Sequence, residues 1–133
     1  MEYVTPPPTD RGCILLAEDE PHIRRILQTV LEEAGFAVDA VGEGTVARDR
    51  MIGNQSYVLV LTDIMMPGCS GLDLLAALRT LPHRRTIPVI VLTAKGQDAD
   101  REAAFSLGAD DFLTKPFSPK KLLSRIEQLL HVA

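Results

Sequence analysis

The chain has 133 residues, 46% of them hydrophobic and 24% charged, with a formal net charge of −4. That length favours one domain with a real core, and that charge gives no general attraction to nucleic acid. No apolar stretch approaches the roughly 20 residues of a membrane span, and residues 1–12 lack the apolar core of a signal peptide, so a cytoplasmic chain is expected.

Residues 1–11 read as an extended tail, because Pro6-Pro7-Pro8 fixes φ and removes backbone donors; the folded domain is expected over 12–133. Cys13 to Ala17 is a short apolar run, a first strand. Pro21 supplies the first residue of a helix whose face is Ile23, Ile26, Leu27, Val30, Leu31 and Ala34, and Gly35 ends it. Phe36 to Val41 is a second strand, and Asp39 within it suits a sheet edge. Gly42 to Gly53 is a weak helix, closed by Asn54. Tyr57 to Thr62 is a third strand, with the near-continuous aliphatics of a parallel strand covered on both faces. Pro67 and Gly68 break the chain before a helix with Leu74, Leu75, Leu78 and Leu81 on one face and Pro82 as its stop.

Ile87 to Thr93 is a fourth strand, with Pro88 near its start because it has no ladder donor. Gln97 to Leu107 is a helix whose apolar side is mostly alanine plus Phe105 and Leu107, capped by Gly108. It should be the most weakly docked helix, since it removes the least apolar area from water. Asp111 to Thr114 is a fifth strand. Ser118 caps a last helix with Pro119 at its first position and Leu122, Leu123, Ile126, Leu129 and Leu130 on its face. Five β–α alternations imply an α/β fold: a doubly wound parallel sheet with helices on both faces.

Chemistry in such sheets lies at the carboxyl ends of the strands. Glu18-Asp19, Asp63, Thr93 and Lys115 all occupy such ends. Each alone has an ordinary structural reading: an acid beginning a helix, a turn hydroxyl, a surface lysine. Together they suggest one site. Clustered carboxylates repel unless a cation joins them, and oxygen-only ligands suit a hard cation such as Mg2+. A carboxylate there could also be a nucleophile toward phosphorus, with Lys115 and Thr93 meeting the phosphoryl oxygens. Cys13 and Cys69 show no zinc or CxxC spacing and read as reduced thiols. His22, His83 and His131 have no metal spacing and read as exposed.

With those residues in view, the chain resembles the receiver domain of bacterial two-component response regulators over about residues 12–131. Ile14-Leu15-Leu16-Ala17-Glu18-Asp19-Glu20 resembles the family's first strand with its acidic pair. Leu61-Thr62-Asp63-Ile64-Met65-Met66-Pro67, with Gly71 beyond, resembles the phosphoacceptor strand and loop. Val91-Leu92-Thr93-Ala94 resembles the switch-threonine strand, and Gly108 to Phe117 the stretch with the switch aromatic and the lysine. The resemblance implies strand order 2-1-3-4-5 and a phosphoryl group passed to Asp63 from a histidine kinase or a phosphotransfer protein. It implies Mg2+ held by Asp19, Asp63 and the Met65 backbone carbonyl, with Glu18 acting through water. Thr93 and Lys115 would bind phosphoryl oxygens, Phe112 would be the rotating aromatic whose movement switches the 97–125 surface, and the Lys115-Pro116 bond would be cis.

The resemblance also sets expectations for what lies beyond the site. Phe112 lacks the hydroxyl of the family's common tyrosine, so it would switch by packing alone. Met65 and Lys95 stand at the positions that tune phosphoryl lifetime, and neither would place a hydrolytic water, so self-dephosphorylation should be slow. Lys121 stands where an acid would face Arg101 in the family's dimer, although Asp111 and Arg125 suit that dimer, so a monomer or weak dimer is expected. The chain would be no enzyme beyond its own phosphorylation and dephosphorylation. Its output would be a downstream protein or domain, as a stand-alone relay or as one part of a larger regulator. Three alternatives compete: a phosphorylation-independent scaffold, an aspartyl-phosphate phosphatase, and a flavin-binding flavodoxin-like protein. The phosphatase lacks its second acid at Met65, and the flavin protein lacks a phosphate cradle after the first strand.

Overall fold

The computed structural model describes residues 11–53, 56–84, 86–93 and 98–130. In chain order the elements are β1 (Cys13–Ala17), α1 (Pro21–Glu33), β2 (Ala37–Val41), α2 (Gly44–Ile52), β3 (Leu59–Asp63), α3 (Gly71–Thr80), β4 (Val89–Thr93), α4 (Asp98–Ser106), β5 (Asp111–Thr114) and α5 (Pro119–Leu130). The strands form one parallel sheet in the order β2-β1-β3-β4-β5, as the resemblance implied. Expectations for Pro6 to Pro8, Asn54, Ala94, Lys95, the start of a helix at Gln97, and His131 fall outside the described residues.

Side chains alternate across a strand, and that alternation divides the core. Ile14, Leu16, Leu59, Leu61, Ile90, Leu92 and Leu113 point to one face and are covered by α1 and α5 through Leu27, Leu31, Leu122 and Ile126. Leu15, Val60, Val89, Val91 and Phe112 point to the other, covered through Met51 of α2, Leu74, Leu75 and Leu78 of α3, and Ala104 of α4. β3 and β4 are buried along their whole length, because both faces are roofed. Asp39 lies on β2, an edge strand, where it pairs with Arg50 and accepts from the Tyr57 hydroxyl, both at 2.5 Å.

Several expected boundaries move. Phe36 and Ile87 precede their strands, because their amides donate back to Leu31 and Arg84 in the preceding turns instead of joining the ladder. Both side chains are nonetheless buried. β3 starts at Leu59 rather than Tyr57 and includes Asp63, and α2 starts two residues later than Gly42. Ile26 of α1, Phe105 of α4 and Leu107, just past the end of α4, were expected on buried faces and are exposed. α4 touches the sheet through Ala104, and the small side chain that allows this close approach leaves Phe105 and Leu107 outside. Leu81 lies past the end of α3 as its cap residue and is half-buried. Cys13 and Cys69 are both free thiols, and Lys115-Pro116 is cis.

Gly44 shows how tightly the second face is built. A Cβ there would lie 1.6 Å from the Cys69 carbonyl oxygen, which is backbone and cannot step aside. At Gly53 a Cβ would come no closer than 3.4 Å to its neighbours. Gly44→Ala should therefore destabilise the domain by about 2–3 kcal/mol, and Gly53→Ala should stay within about 0.5 kcal/mol of the parent. Urea unfolding of the two variants checks this.

Candidate functional site

Three charged groups extend the apolar stripe under α1 and α5 by one more step. Leu16 is followed two residues on by Glu18, Leu61 by Asp63 and Leu113 by Lys115. With a period of two, all three side chains emerge on one face, at the ends of β1, its neighbour β3 and, beyond β4, β5. The ladder carries them there. The Glu18 amide donates to Val41 at 3.0 Å, and the Lys115 amide donates to the Thr93 carbonyl at 2.7 Å.

The result is an ion triad of two buried carboxylates and a half-buried ammonium. Lys115 Nζ donates to Glu18 Oε1 at 2.6 Å and to Asp63 Oδ2 at 3.0 Å. Glu18 is fully buried, and its other oxygen accepts the Glu20 amide at 3.1 Å. Glu20 caps α1, its carboxylate accepting the amides of His22 and Ile23 at 3.0 and 3.1 Å. Those bonds hold Glu20 below the usual carboxylate range. Sequence reading took Pro21 as the start of this helix without assigning the cap to Glu20.

Behind Asp63 the loop is pinned. The Ile64 amide donates to Leu92 at 3.0 Å, and the Gly71 amide donates to Ile64 at 2.8 Å. A Cβ on Gly71 would sit 2.1 Å from the Asp63 carbonyl, so α3 begins hard against the acid's own peptide. Ser70 caps α3, its hydroxyl accepting the Asp73 amide, a cap that the sequence reading did not assign.

Burial pushes Glu18 from its usual 4.5 up to about 7; the Lys115 bond opposes this and the neighbouring Asp63 carboxylate adds to it. For Lys115, burial works against the charge, but the bonds to Glu18 and Asp63 outweigh it and raise the ammonium above its ordinary value. The Lys115 ammonium is thus the cation that joins the acids here.

Asp19 is exposed beside the pair, and carboxylate oxygens of Glu18, Asp19 and Asp63 lie within 4.8 Å of one another. Oxygens around an octahedral magnesium lie roughly 3–4 Å apart, so a small closing motion would complete a shared ligand set. The cluster fits a hard divalent cation. Met65 is 63% exposed in the loop after Asp63. Thr93 ends β4 and is buried. Phe112 is also buried, 6.3 Å from the Phe105 ring, with the Arg101 guanidinium 5.9 Å above it. Thr93 and Phe112 share the face opposite the ion triad, since Val91 pairs with Phe112 and Thr93 with Thr114.

A family model described as the response regulator receiver domain matches residues 14–127. The chain belongs to the response regulator receiver domain family. It is 38% identical over 125 residues to the transcriptional regulatory protein ResD of Bacillus subtilis, covering 94% of this chain and 50% of ResD. It is 41% identical over 120 residues to GltR of Pseudomonas aeruginosa, covering 90% of this chain and 49% of GltR. The receiver thus spans about half the length of these curated relatives.

Among solved structures, it is similar to the receiver domain of a signal transduction histidine kinase from Syntrophus aciditrophicus. The TM-score there is 0.81 at 36% identity, over 90% of this chain and 89% of that one. It is also similar to the receiver domain of the sensor histidine kinase PA1611 of Pseudomonas aeruginosa PAO1, with a TM-score of 0.82 at 30% identity, over 89% and 96% of the two chains. That structure has a magnesium ion coordinated in its active-site cleft. Among the described residues of this receiver, no helix is long and apolar enough to cross a membrane.

The raised Glu18 value fixes a sign. A proton binds this carboxyl more tightly in the folded chain than in the unfolded one. Its contribution to stability is therefore full below about pH 4.5 and is lost as pH rises through about 7. In chelator-containing buffer, Glu18→Gln should remove that pH dependence and melt a few degrees above the parent at pH 8, the gap closing toward pH 4.5. Thermal unfolding across this range checks it. A variant that melts below the parent at pH 8 would show that the ionised Glu18 is a net stabiliser.

Proposed function

We propose that Asp63 is the phosphoacceptor of this receiver, taking a phosphoryl group from a phosphohistidine on a kinase or phosphotransfer protein. The observation that carries the reading is the Lys115 ammonium held between Glu18 and Asp63 at a strand-end cluster of three acids. As an Asp63 oxygen bonds to phosphorus, the P–N bond breaks and its electron pair returns to the imidazole. Negative charge builds on the phosphoryl oxygens, and Lys115, already at the acid, meets part of it. Mg2+ bound by Asp19, Asp63 and the Met65 carbonyl, with Glu18 through water, would neutralise the rest. The chain does no other chemistry in this reading, and the exposed Met65 offers no group to place a hydrolytic water, which supports slow loss of the phosphoryl group.

The phosphoryl adds about −1.5 to −2 charge at the site. Thr93 would move toward it and Phe112 would follow into the space left, changing the surface of α4 and β5. α4 is suited to such a shift because, among its described side chains, Ala104 is the buried apolar anchor while Phe105 stays outside. Asp111 pairs with Arg125 of the same chain at 3.0 Å, which supports a monomer or weak dimer over exchange of that pair between copies. The output would be a downstream protein or domain of a larger regulator.

This chain offers a surface on which a donor protein would seat. Ile23, Ile26, Leu27, Pro116, Phe117 and Pro119 line an apolar cavity of about 400 Å³ whose wall includes Lys115. An apolar helix seated there would hold its phosphohistidine beside Asp63, and the exposed Ile26 would be under it.

Acetyl phosphate with magnesium should add one phosphate to the parent chain and none to Asp63→Asn by intact mass. An adduct persisting on the variant would mean that another carboxylate is the acceptor. Ile26→Glu should slow phosphorylation by a protein donor at least about tenfold, as expected for losing a central interface anchor, and leave the acetyl phosphate rate unchanged. Equal slowing with both donors would place the damage in the site instead.

A further inference from the structure

Arg24 lies one turn into α1 and takes no part in the proposed transfer. Its Nη1 donates to the backbone carbonyl of Glu18 at 2.9 Å. That carbonyl belongs to the peptide joining Glu18 to Asp19, the two acids that must face one cation together. On its other side the same residue is held by β2, through the Glu18 amide and the Val41 carbonyl. Arg24 is therefore a second anchor on a peptide whose rotation would swing the exposed Asp19 carboxylate away from Glu18 and Asp63.

Gly42 makes room for this contact. A Cβ on Gly42 would stand 2.7 Å from Arg24 Nη1. Its φ is not in the left-handed region, so the absent side chain rather than backbone freedom is what the position supplies. The atom in the way is the tip of a flexible side chain, so alanine would push the guanidinium aside while the backbone stays. Two elements, α1 and the turn after β2, are thus shaped around one charge-assisted hydrogen bond.

We infer that Arg24, seated against Gly42, is a positioning residue for divalent-cation binding. It holds the Glu18–Asp19 peptide so that both acids face Asp63. The inference rests on the reading that Asp19 and Asp63 bind the metal directly and Glu18 through water. A simple field effect runs the opposite way, because removing a positive charge beside a cation site should tighten cation binding.

The test is magnesium affinity, from calorimetric titration and from the magnesium-dependent rise in melting temperature, on the parent, Arg24→Ala, Gly42→Ala and the double variant. Each single variant should bind magnesium about tenfold more weakly, as when an outer partner of a metal ligand is lost. The double variant should bind no more weakly than the weaker single one, since both remove the same contact. Metal-free melting temperatures should stay near the parent's. Parental or tighter affinity in Arg24→Ala would overturn the inference. So would an unaffected Gly42→Ala, losses that multiply in the double variant, or losses that track metal-free instability. A parent that neither binds magnesium nor takes phosphate would instead bring down the reading beneath it.

Discussion

The site depends on one lysine ammonium placed between two buried carboxylates. Lys115 reaches Glu18 across the sheet from 97 residues away in sequence, and Asp63 from 52. Buried charges are costly unless partnered, and removing one partner leaves an uncompensated charge. The arrangement therefore constrains the ends of β1, β3 and β5 to one register and one face. Burial raises Glu18 toward neutrality while Lys115 is held charged, and the two tendencies meet in a single hydrogen bond. A pair balanced in this way can be reorganised by an incoming cation or phosphoryl group without rebuilding the core.

The alternation of the strands then puts the proposed chemistry and the proposed readout on opposite faces. Glu18, Asp63 and Lys115 extend the stripe covered by α1 and α5, whereas Thr93 and Phe112 belong to the stripe covered by α3 and α4. The Lys115 amide bonded to the Thr93 carbonyl ties the two at the strand ends. In the proposed mechanism, phosphoryl chemistry on one face would be felt on the other through the edge of a single ladder, and α4 is the helix there with the smallest buried anchor among the described side chains.

Arginines staple the rest. Arg84 is buried, donates to the carbonyls of Met51 and Gly53 at the end of α2, and stacks 4.9 Å over Tyr57. Arg79 joins α3 to the carbonyls of Ile87 and Gly108. Arg11 bonds Ala34, pairs with Glu127 and lies over Phe36. These contacts supply donors to backbone carbonyls at helix ends and turns. None was visible beforehand, because an arginine in a helix or turn carries no mark of which distant carbonyl it will reach. The exposure of Ile26, Phe105 and Leu107 escaped notice for a related reason. A helical repeat shows that a stripe exists, but its edges depend on how closely the helix approaches the sheet, and Ala104 sets that distance for α4.

The sequence by itself determined the alternation of strands and helices, their caps at Ser118 and Gly108, and the acids, hydroxyl and lysine at the strand ends. Local signals suffice for these: period-two and period-3.6 hydrophobicity, prolines, glycines and short motifs act within a few residues. Only the tertiary structure decided that Lys115 bridges Glu18 and Asp63, that Phe112 and Thr93 share the opposite face, and that Arg24 rests on the Glu18 carbonyl in the space beside Gly42. Sheet register and how closely backbones can approach set those contacts. Lys115 lies 97 residues from Glu18, and even Arg24, six residues from Glu18, carries no local mark of the carbonyl it will reach.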